Sequence, residues 1–225
     1  MKKSLLSIAL TSLLATSAVV STSASAVEGL SANAGVVSQY FFRGIAQTSS
    51  ATASAGVDYE NGNFSVGTWA ADVEDGLEID FYGSYGNELD NGFGYSLGFT
   101  TYQYTGDFDS AYNEVNLGLS YGMFSVSYNI GQHEKDTGLG IDESDYDFLA
   151  VTIEHEGFYA TYGTWGDEAD GDYVELGYGT EISGFDLGVA VIINSDELSS
   201  GGPDGWTTEP VGGDESLVFS IGKSF

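Results

Sequence analysis

The 225-residue sequence contains no cysteine and few basic residues. Without cysteine, the chain can form neither the disulfide bonds that stabilise many small exported proteins nor a lipid anchor on a cysteine side chain. Only five residues are lysine or arginine, against 34 aspartate and glutamate residues. An acidic chain of this kind is repelled by phosphate backbones, so we expect no nucleic-acid partner.

Long hydrophobic runs are also missing after the first 26 residues. At the start, Lys2 and Lys3 precede an apolar run, and Ala24-Ser25-Ala26 matches the small-residue pattern that signal peptidase cleaves. We therefore predict a cleavable export signal at residues 1–26, in preference to a single membrane anchor, because the run is short. No later run approaches the roughly 20 apolar residues of a spanning helix, so we expect no such helix.

The remaining 199 residues are rich in side chains that a folded domain can bury. The whole sequence is 42% hydrophobic and 14% aromatic, which is too much for a disordered chain despite its acidity. Apolar and polar residues alternate in twelve segments, each close to the length of a tilted strand that crosses a membrane. The segments lie at about residues 30–42, 51–59, 64–70, 77–85, 93–99, 115–121, 124–130, 149–153, 158–162, 174–178, 185–193 and 217–225.

The connections between these segments alternate in length. Those after even-numbered segments are short, and those after odd-numbered segments are mostly long and polar, as at residues 131–145 and 194–215. Short turns on one side and long loops on the other are typical of outer-membrane barrels. We therefore predict a closed, antiparallel, up-and-down transmembrane β-barrel of about twelve strands at residues 27–225. Ten or fourteen strands remain possible because Phe148 and Ala150 blur the eighth segment.

The last segment indicates how the barrel closes. Phe219, Ile221 and the terminal Phe225 share one apolar face, and a final strand can avoid an exposed edge only by pairing with the first one. These three residues are also the candidate signal for the barrel-assembly machinery.

Aromatic residues flank the short turns and predict a girdle at one membrane surface. Its members are Tyr59, Phe64, Tyr85, Phe93, Tyr121, Phe124, Phe158, Tyr178, Phe185 and Phe225. We expect a looser girdle at the opposite surface, formed by Tyr40, Phe42 and Tyr146.

Four stretches resemble the outer-membrane porins of the TorF type. They are VVSQYFFRGIAQ at residues 36–47, VGTWAADV at 66–73, EIDFYGSYG at 78–86 and FSIGKSF at 219–225. The resemblance is specific up to about residue 86 and again at the end, and weak between. It implies a bacterial outer-membrane barrel with a role as a pore. From the apolar faces and the acidic loops, we also expect contact with membrane lipid and lipopolysaccharide.

The inward positions carry the candidate site of such a pore. The pore-lining candidates are Gln39, Arg43, Asp58, Glu78, Asp80, Glu114, Glu175 and Asp186. Arg43 is one of only three basic residues after residue 26, so it is either a constriction residue opposite an acidic patch or half of a structural ion pair, which we favour. The surplus of carboxylates predicts a preference for cations.

Most of the acidity lies outside the strands, since 20 of the 34 acidic residues fall in the predicted outer loops. Asp167, Asp170 and Asp172 are weak candidates for metal ligands, because their loop lacks the final glutamate of a calcium-binding loop. A solvated acidic rim is the simpler interpretation, and we predict no dedicated metal site.

Neither His133 nor His155 has a serine and an acid at a recognisable spacing, so we predict no catalytic residues, no enzyme activity and no cofactor. Two functions are compatible with the sequence. The first is a porin that lets small solutes, neutral or cationic, diffuse across the outer membrane. The alternative is a non-conducting barrel whose acidic loops serve adhesion or surface organisation.

Overall fold

The computed structural model describes residues 27–167, 170–199 and 215–225, so the predicted export signal lies outside the described residues. Within these ranges twelve strands form one closed antiparallel barrel, as the alternation of the sequence predicts. The barrel strands are β1 (Leu30–Val37), β4 (Thr52–Asn61), β5 (Phe64–Asp72), β6 (Leu77–Glu88), β7 (Phe93–Tyr104), β8 (Tyr112–Tyr121), β9 (Phe124–His133), β10 (Ser144–His155), β11 (Phe158–Asp167), β12 (Asp172–Ile182), β13 (Phe185–Asn194) and β14 (Glu215–Ser224).

Three short elements are not part of the barrel wall. The two-residue strands β2 (Phe41–Phe42) and β3 (Ile45–Ala46) pair only with each other, in a hairpin between β1 and β4. A single helical turn, α1 (Asp196–Ser199), follows β13. No helix among the described residues is long and apolar enough to cross a membrane.

Pairing between the first and last strands closes the barrel. β1 pairs with β14 from Asn33 opposite Ser224 to Val37 opposite Ser220. Beyond this ladder, the Phe225 amide donates to the Ala32 carbonyl at 2.8 Å. The described sheet therefore has no free edge, which is the condition for a sheet in hydrocarbon.

The described connections differ between the two ends of the barrel. At one end, which also holds the start of β1 and the end of β14, tight turns join the strands. In two of them both residues have positive φ, namely Glu156 and Gly157 (51° and 84°) and Ser183 and Gly184 (57° and 78°). This geometry fits the two-residue turn that matches the twist of a hairpin. We call this the turn end, and the opposite one the loop end.

The outward face is an apolar belt. Leu97, Leu117 and Ile221 are among its exposed side chains, and the predicted girdle residues lie on this face beside the tight turns. Neighbouring strands bring girdle rings together, with centroids 5.0 Å apart for Phe64 and Tyr85. The structure also shows which face of the ambiguous eighth segment is outward. Leu149, Val151 and Ile153 point outward, while Phe148 and Ala150 are buried inside.

The predicted second girdle is wrong. Tyr40 and Tyr146 are 2% and 1% exposed, and Phe42 packs against the same buried cluster inside the barrel. The reason is that β1 ends at Val37, five residues earlier than predicted, and the chain then turns into the lumen. Tyr146 follows the inward parity of Phe148 on β10.

The apolar belt predicts how stability depends on depth. Leu117 lies near the middle of the outward face of β8 and Tyr121 lies at its turn end. Leu117→Arg should lower the free energy of unfolding by about 2–4 kcal/mol, whereas an arginine at position 121 should cost about 0–1 kcal/mol for its charge. Urea unfolding of protein refolded into vesicles measures both. A larger loss at position 121 would contradict this placement of the belt.

Candidate functional site

The candidate site is the interior of the barrel, and its main feature is the segment 38–50, which folds into the lumen. β2 and β3 pair in register, and Arg43 and Gly44 form the turn between them with φ of 49° and 85°. The positive φ at Gly44 favours glycine, and so does the space around it, because a Cβ at this position would lie 2.6 Å from the Tyr173 ring. We call residues 41–46 the lumen hairpin.

Aromatic rings from the wall surround the lumen hairpin. Phe41 and Ile45 are buried, and the Phe42 ring lies 5.4 Å from that of Tyr102 and 5.9 Å from that of Trp165. The buried wall rings of this cluster are Tyr102, Tyr112, Tyr146, Phe148, Trp165 and Tyr173. The loop-end half of the lumen therefore contains a packed apolar core.

Arg43 at the tip of the lumen hairpin forms a buried ion pair with Glu114 on β8. Both terminal nitrogens of the guanidinium donate to the carboxylate, at 2.6 and 2.8 Å. The Tyr146 and Tyr102 hydroxyls donate to the same carboxylate at 3.0 and 3.3 Å, and Asn116 also donates to it. Glu114 is only 1% exposed and Arg43 only 6%. A two-pronged pair with these extra donors offsets the cost of burying both charges.

The guanidinium of Arg43 also lies against aromatic faces. Its central carbon is 4.6 Å from the Phe148 ring centroid, 4.8 Å from that of Phe42 and 5.7 Å from that of Trp165. Arginine is suited to this position because its planar, weakly hydrated cation both stacks on rings and forms the fork to a carboxylate.

Wall residues also satisfy the backbone of the tip. Trp165 Nε1 donates to the Arg43 carbonyl at 3.0 Å, and Asn194 Nδ2 donates to the Gly44 carbonyl at 2.7 Å. Buried carbonyls that lie outside a sheet require such partners. Side chains of three strands, β8, β11 and β13, thus form hydrogen bonds to the hairpin tip.

The base of segment 38–50 is held by its own residues. The Gln47 amide donates to the Tyr40 carbonyl at 2.8 Å, and Gln39 Nε2 donates to the Thr48 carbonyl at 2.8 Å. Outside the membrane, the Ser49 amide and hydroxyl donate to Glu74 Oε1 at 2.6 and 2.8 Å. These hydrogen bonds from Ser49 lower the pKa of the Glu74 carboxyl.

The remaining predicted pore-lining residues are spread along the lumen. Glu78 and Asp80 lie near the hairpin, and Glu78 accepts a 2.6 Å hydrogen bond from the Tyr40 hydroxyl. Asp58 accepts from Tyr82 at 2.6 Å, and Glu175 accepts from Tyr159 at 2.5 Å. Asp186 lies at the turn end of β13, partly exposed. Among the described residues, Arg43 therefore pairs with Glu114, while Asp58 also accepts from Asn33 Nδ2 at 3.4 Å. The buried Oδ1 atoms of Asp80 and Asp186 have no donor there.

Sequence reasoning missed the inward tyrosines that lie over glycines of the neighbouring strand. Tyr82 is paired in register with Gly67 and Tyr146 with Gly131, and Tyr159 likewise covers Gly177. A Cβ on any of these glycines would lie 2.2–2.5 Å from a neighbouring side-chain atom. The glycines thus allow the rings to lie flat along the wall. Aromatic residues at inward parity were the available signal.

The turn-end half of the lumen is lined differently. Small residues occupy many of its inward positions, beside the larger Asp58, Tyr82, Tyr159 and Asp186, and many of the small residues are partly exposed. These are Ser65, Ser84, Ser120, Ser125, Ser127, Thr152, Thr161, Gly177, Gly188, Ser220 and Gly222. Side chains of this size cannot fill the interior of a twelve-stranded barrel, so this half is a polar vestibule.

Residues 21–199 match the sequence profile of Gcw_chp, described as bacterial proteins of unknown function. The chain belongs to the Gcw_chp family. No curated protein sequence matches it. A solved structure from a study of in-meso crystallization of membrane proteins is similar with a TM-score of 0.58 at 12% identity, over 87% of this chain and 83% of that one. This similarity shows the barrel fold and nothing further.

Two further solved structures match this Gcw_chp protein at lower similarity. Acinetobacter baumannii OccAB3 has a TM-score of 0.43 at 12% identity, and the match covers 89% of this chain but only 65% of OccAB3. Pseudomonas aeruginosa OprD has a TM-score of 0.42 at 11% identity, over 89% of this chain and 68% of OprD.

The structure does not group the weak metal candidates of the Gcw_chp protein. In the part of the chain that the structure describes, no three His, Asp or Glu residues are grouped to hold a metal, and Asp167, Asp170 and Asp172 form no such group. His133 Nε2 lies 2.9 Å from Asp109, while the neighbouring Ser110 hydroxyl donates to the Glu134 carbonyl. The absence of enzyme activity stays a prediction.

The buried ion pair predicts strong coupling between its two partners. Arg43→Met should lower the free energy of unfolding by about 3–5 kcal/mol, because it leaves the Glu114 carboxylate buried without its cation. The double variant Arg43→Met/Glu114→Gln should lose less than the sum of its single variants, with a coupling energy of at least about 1 kcal/mol. Urea unfolding of the four proteins measures this cycle. Additive losses would show that the two charges do not stabilise each other.

Proposed function

We propose that this protein is a porin-type channel for small solutes in the bacterial outer membrane, as its resemblance to TorF-type porins implies. The observation that carries the proposal is the polar vestibule, a half-lumen lined by small, partly exposed residues. A barrel with a purely structural role has no need for an interior lined in this way. The closed wall and its apolar belt support a location in the outer membrane.

The number of strands supports a narrow channel. Barrels of eight strands are just filled by side chains, and those of sixteen to eighteen strands enclose a wide aqueous channel. Twelve strands lie between these limits. Glycine and serine on the inward face then leave space at the turn end that larger side chains would fill.

The lumen hairpin is the proposed constriction. Phe41 and Ile45 are buried at 2% and 1% exposure, so the loop-end half of the lumen is closed in this state. Conduction then requires the hairpin to shift or the solute to be very small. We therefore propose a low unitary conductance for the unmodified protein, with Arg43 and Gln39 at the constriction.

Further parts of this proposal concern the surroundings of the barrel. The outward belt contacts membrane lipid, and the acidic loop end faces lipopolysaccharide, whose phosphates divalent cations can bridge. Phe219, Ile221 and Phe225 on the outward face of β14 suit recognition by the barrel-assembly machinery. We propose no catalytic activity and no cofactor.

Shortening the lumen hairpin tests the channel. Because Tyr40 and Gln47 are already hydrogen-bonded, residues 41–46 can be replaced by Asn-Gly, which favours the tight two-residue turn. Glu114→Gln is included to avoid a lone buried carboxylate, and Glu114→Gln alone is the control. In planar bilayers we expect larger unitary steps for the shortened variant than for the control. If both variants and the unmodified protein are silent, the alternative of a non-conducting surface barrel replaces the channel.

Selectivity follows from the carboxylates that face the vestibule. Asp58 and Asp186 are partly exposed there, so Asp58→Asn/Asp186→Asn should lower the preference for K⁺ over Cl⁻. The change should be largest at low salt, since the Debye length falls from about 30 Å at 0.01 M to about 3 Å at 1 M. Reversal potentials in a KCl gradient measure it, with Asp75→Asn at the exposed loop end as the control. Anion preference in the unmodified protein would contradict the proposed selectivity.

A further inference from the structure

Two acidic residues near the lumen hairpin are almost fully buried, which is unfavourable for charged side chains. Glu78 and Asp80 are 1% and 4% exposed and both point into the lumen from β6. Because they are two residues apart on one face of a strand, their backbones are separated by about 7 Å. Two carboxylates therefore lie side by side in a place shielded from water.

The part of the chain that the structure describes provides no cation for this pair. Residues 27–225 contain three basic residues, Arg43, Lys135 and Lys223. Both terminal nitrogens of Arg43 bind Glu114. Lys135 pairs with Asp142 in an exposed loop, and Lys223 lies against the Phe185 ring on the outward face at the turn end. The basic side chains of the described residues thus lie elsewhere, which favours a neutralising charge from outside the chain.

The two carboxylates differ in their hydrogen bonds. Glu78 accepts from the Tyr40 hydroxyl at 2.6 Å. Asp80 Oδ1 is fully shielded from solvent and has no donor among the described residues. A buried carboxylate oxygen without a donor is strongly unfavourable. An external ligand that contacts the Asp80 carboxylate would remove this cost.

The surroundings of Asp80 also favour a cation. Trp69 on β5 and Tyr102 on β7 occupy the positions paired with Asp80 in register, so their inward rings flank it. The Tyr40 ring packs on Trp69 with centroids 5.7 Å apart. Aromatic faces attract cations, and the attraction increases when the cation is desolvated.

The number of ligands limits the type of cation. The described residues contain no group of three or more carboxylates and histidines placed to hold a metal, which disfavours a divalent ion that needs several charged ligands. We propose that Asp80, together with Glu78, binds one monovalent cation, either an alkali ion or the ammonium group of a small amine. The site does not depend on conduction, because it would neutralise the lumen even in a closed barrel.

The test measures stability and is therefore independent of channel recordings. Folded protein in detergent is heated at constant ionic strength while N-methylglucamine chloride is replaced by KCl, NaCl or methylammonium chloride. The readout is the temperature at which half of the compact gel band is lost. A ligand that binds only the folded state should raise this temperature by a few degrees, with saturation. The comparison of KCl and NaCl with methylammonium shows which monovalent source fits.

Variants assign the response to Asp80. Asp80→Asn keeps the shape of the side chain and should abolish the response, while being more stable than the unmodified protein in N-methylglucamine alone. Asp58→Asn is the matched control and should keep the full response. Glu78→Gln, which retains an oxygen acceptor for Tyr40, is a second variant. It should raise the salt concentration at which half of the stabilisation is reached. Equal responses in the unmodified protein and Asp80→Asn, including no response in either, would overturn the proposal in favour of a bound proton or water.

Discussion

The structure depends on one constraint, which is that a sheet surrounded by hydrocarbon cannot leave backbone donors and acceptors unpaired. The pairing of β1 with β14, extended by the bonds between Ala32 and Phe225, satisfies this condition. Once the wall is closed, each strand has one face in lipid and one in the lumen. All inward side chains then lie in one confined interior. The closed wall therefore requires that this interior be filled by side chains, by a loop or by water.

The two halves of the interior are filled differently. Near the turns, small residues leave a polar vestibule, whereas at the loop end the chain's own segment 38–50 supplies apolar side chains that pack against the wall. A hairpin with a charged tip is acceptable in this core because Glu114 neutralises Arg43, and Trp165 and Asn194 satisfy its carbonyls. Polar and apolar contacts thus act together to keep one loop inside the barrel.

The sequence predicts the wall well and the lumen poorly, and the reason is physical. Alternation reports which residues share a face, and lipid on one face makes that pattern strong along each strand. Alternation does not say whether an aromatic residue near a strand end contacts lipid or a packed lumen, which is why Tyr40, Phe42 and Tyr146 were assigned to a girdle. The partners of Arg43 and Gly44 could not be predicted because they lie on strands far along the chain. The stretch 36–47, one of the four that resemble TorF-type porins, nevertheless includes the lumen hairpin.

The anchoring of the lumen hairpin has a consequence for the order of folding. The carbonyls of Arg43 and Gly44 are bound by side chains 122 and 150 residues later in the sequence, on β11 and β13. These contacts cannot exist until nearly all of the wall has assembled. A segment that leaves the ribosome early is therefore among the last to reach its native position, and the nascent barrel must close around it rather than leave it outside. The docking of the first loop therefore depends on a nearly complete ring of strands.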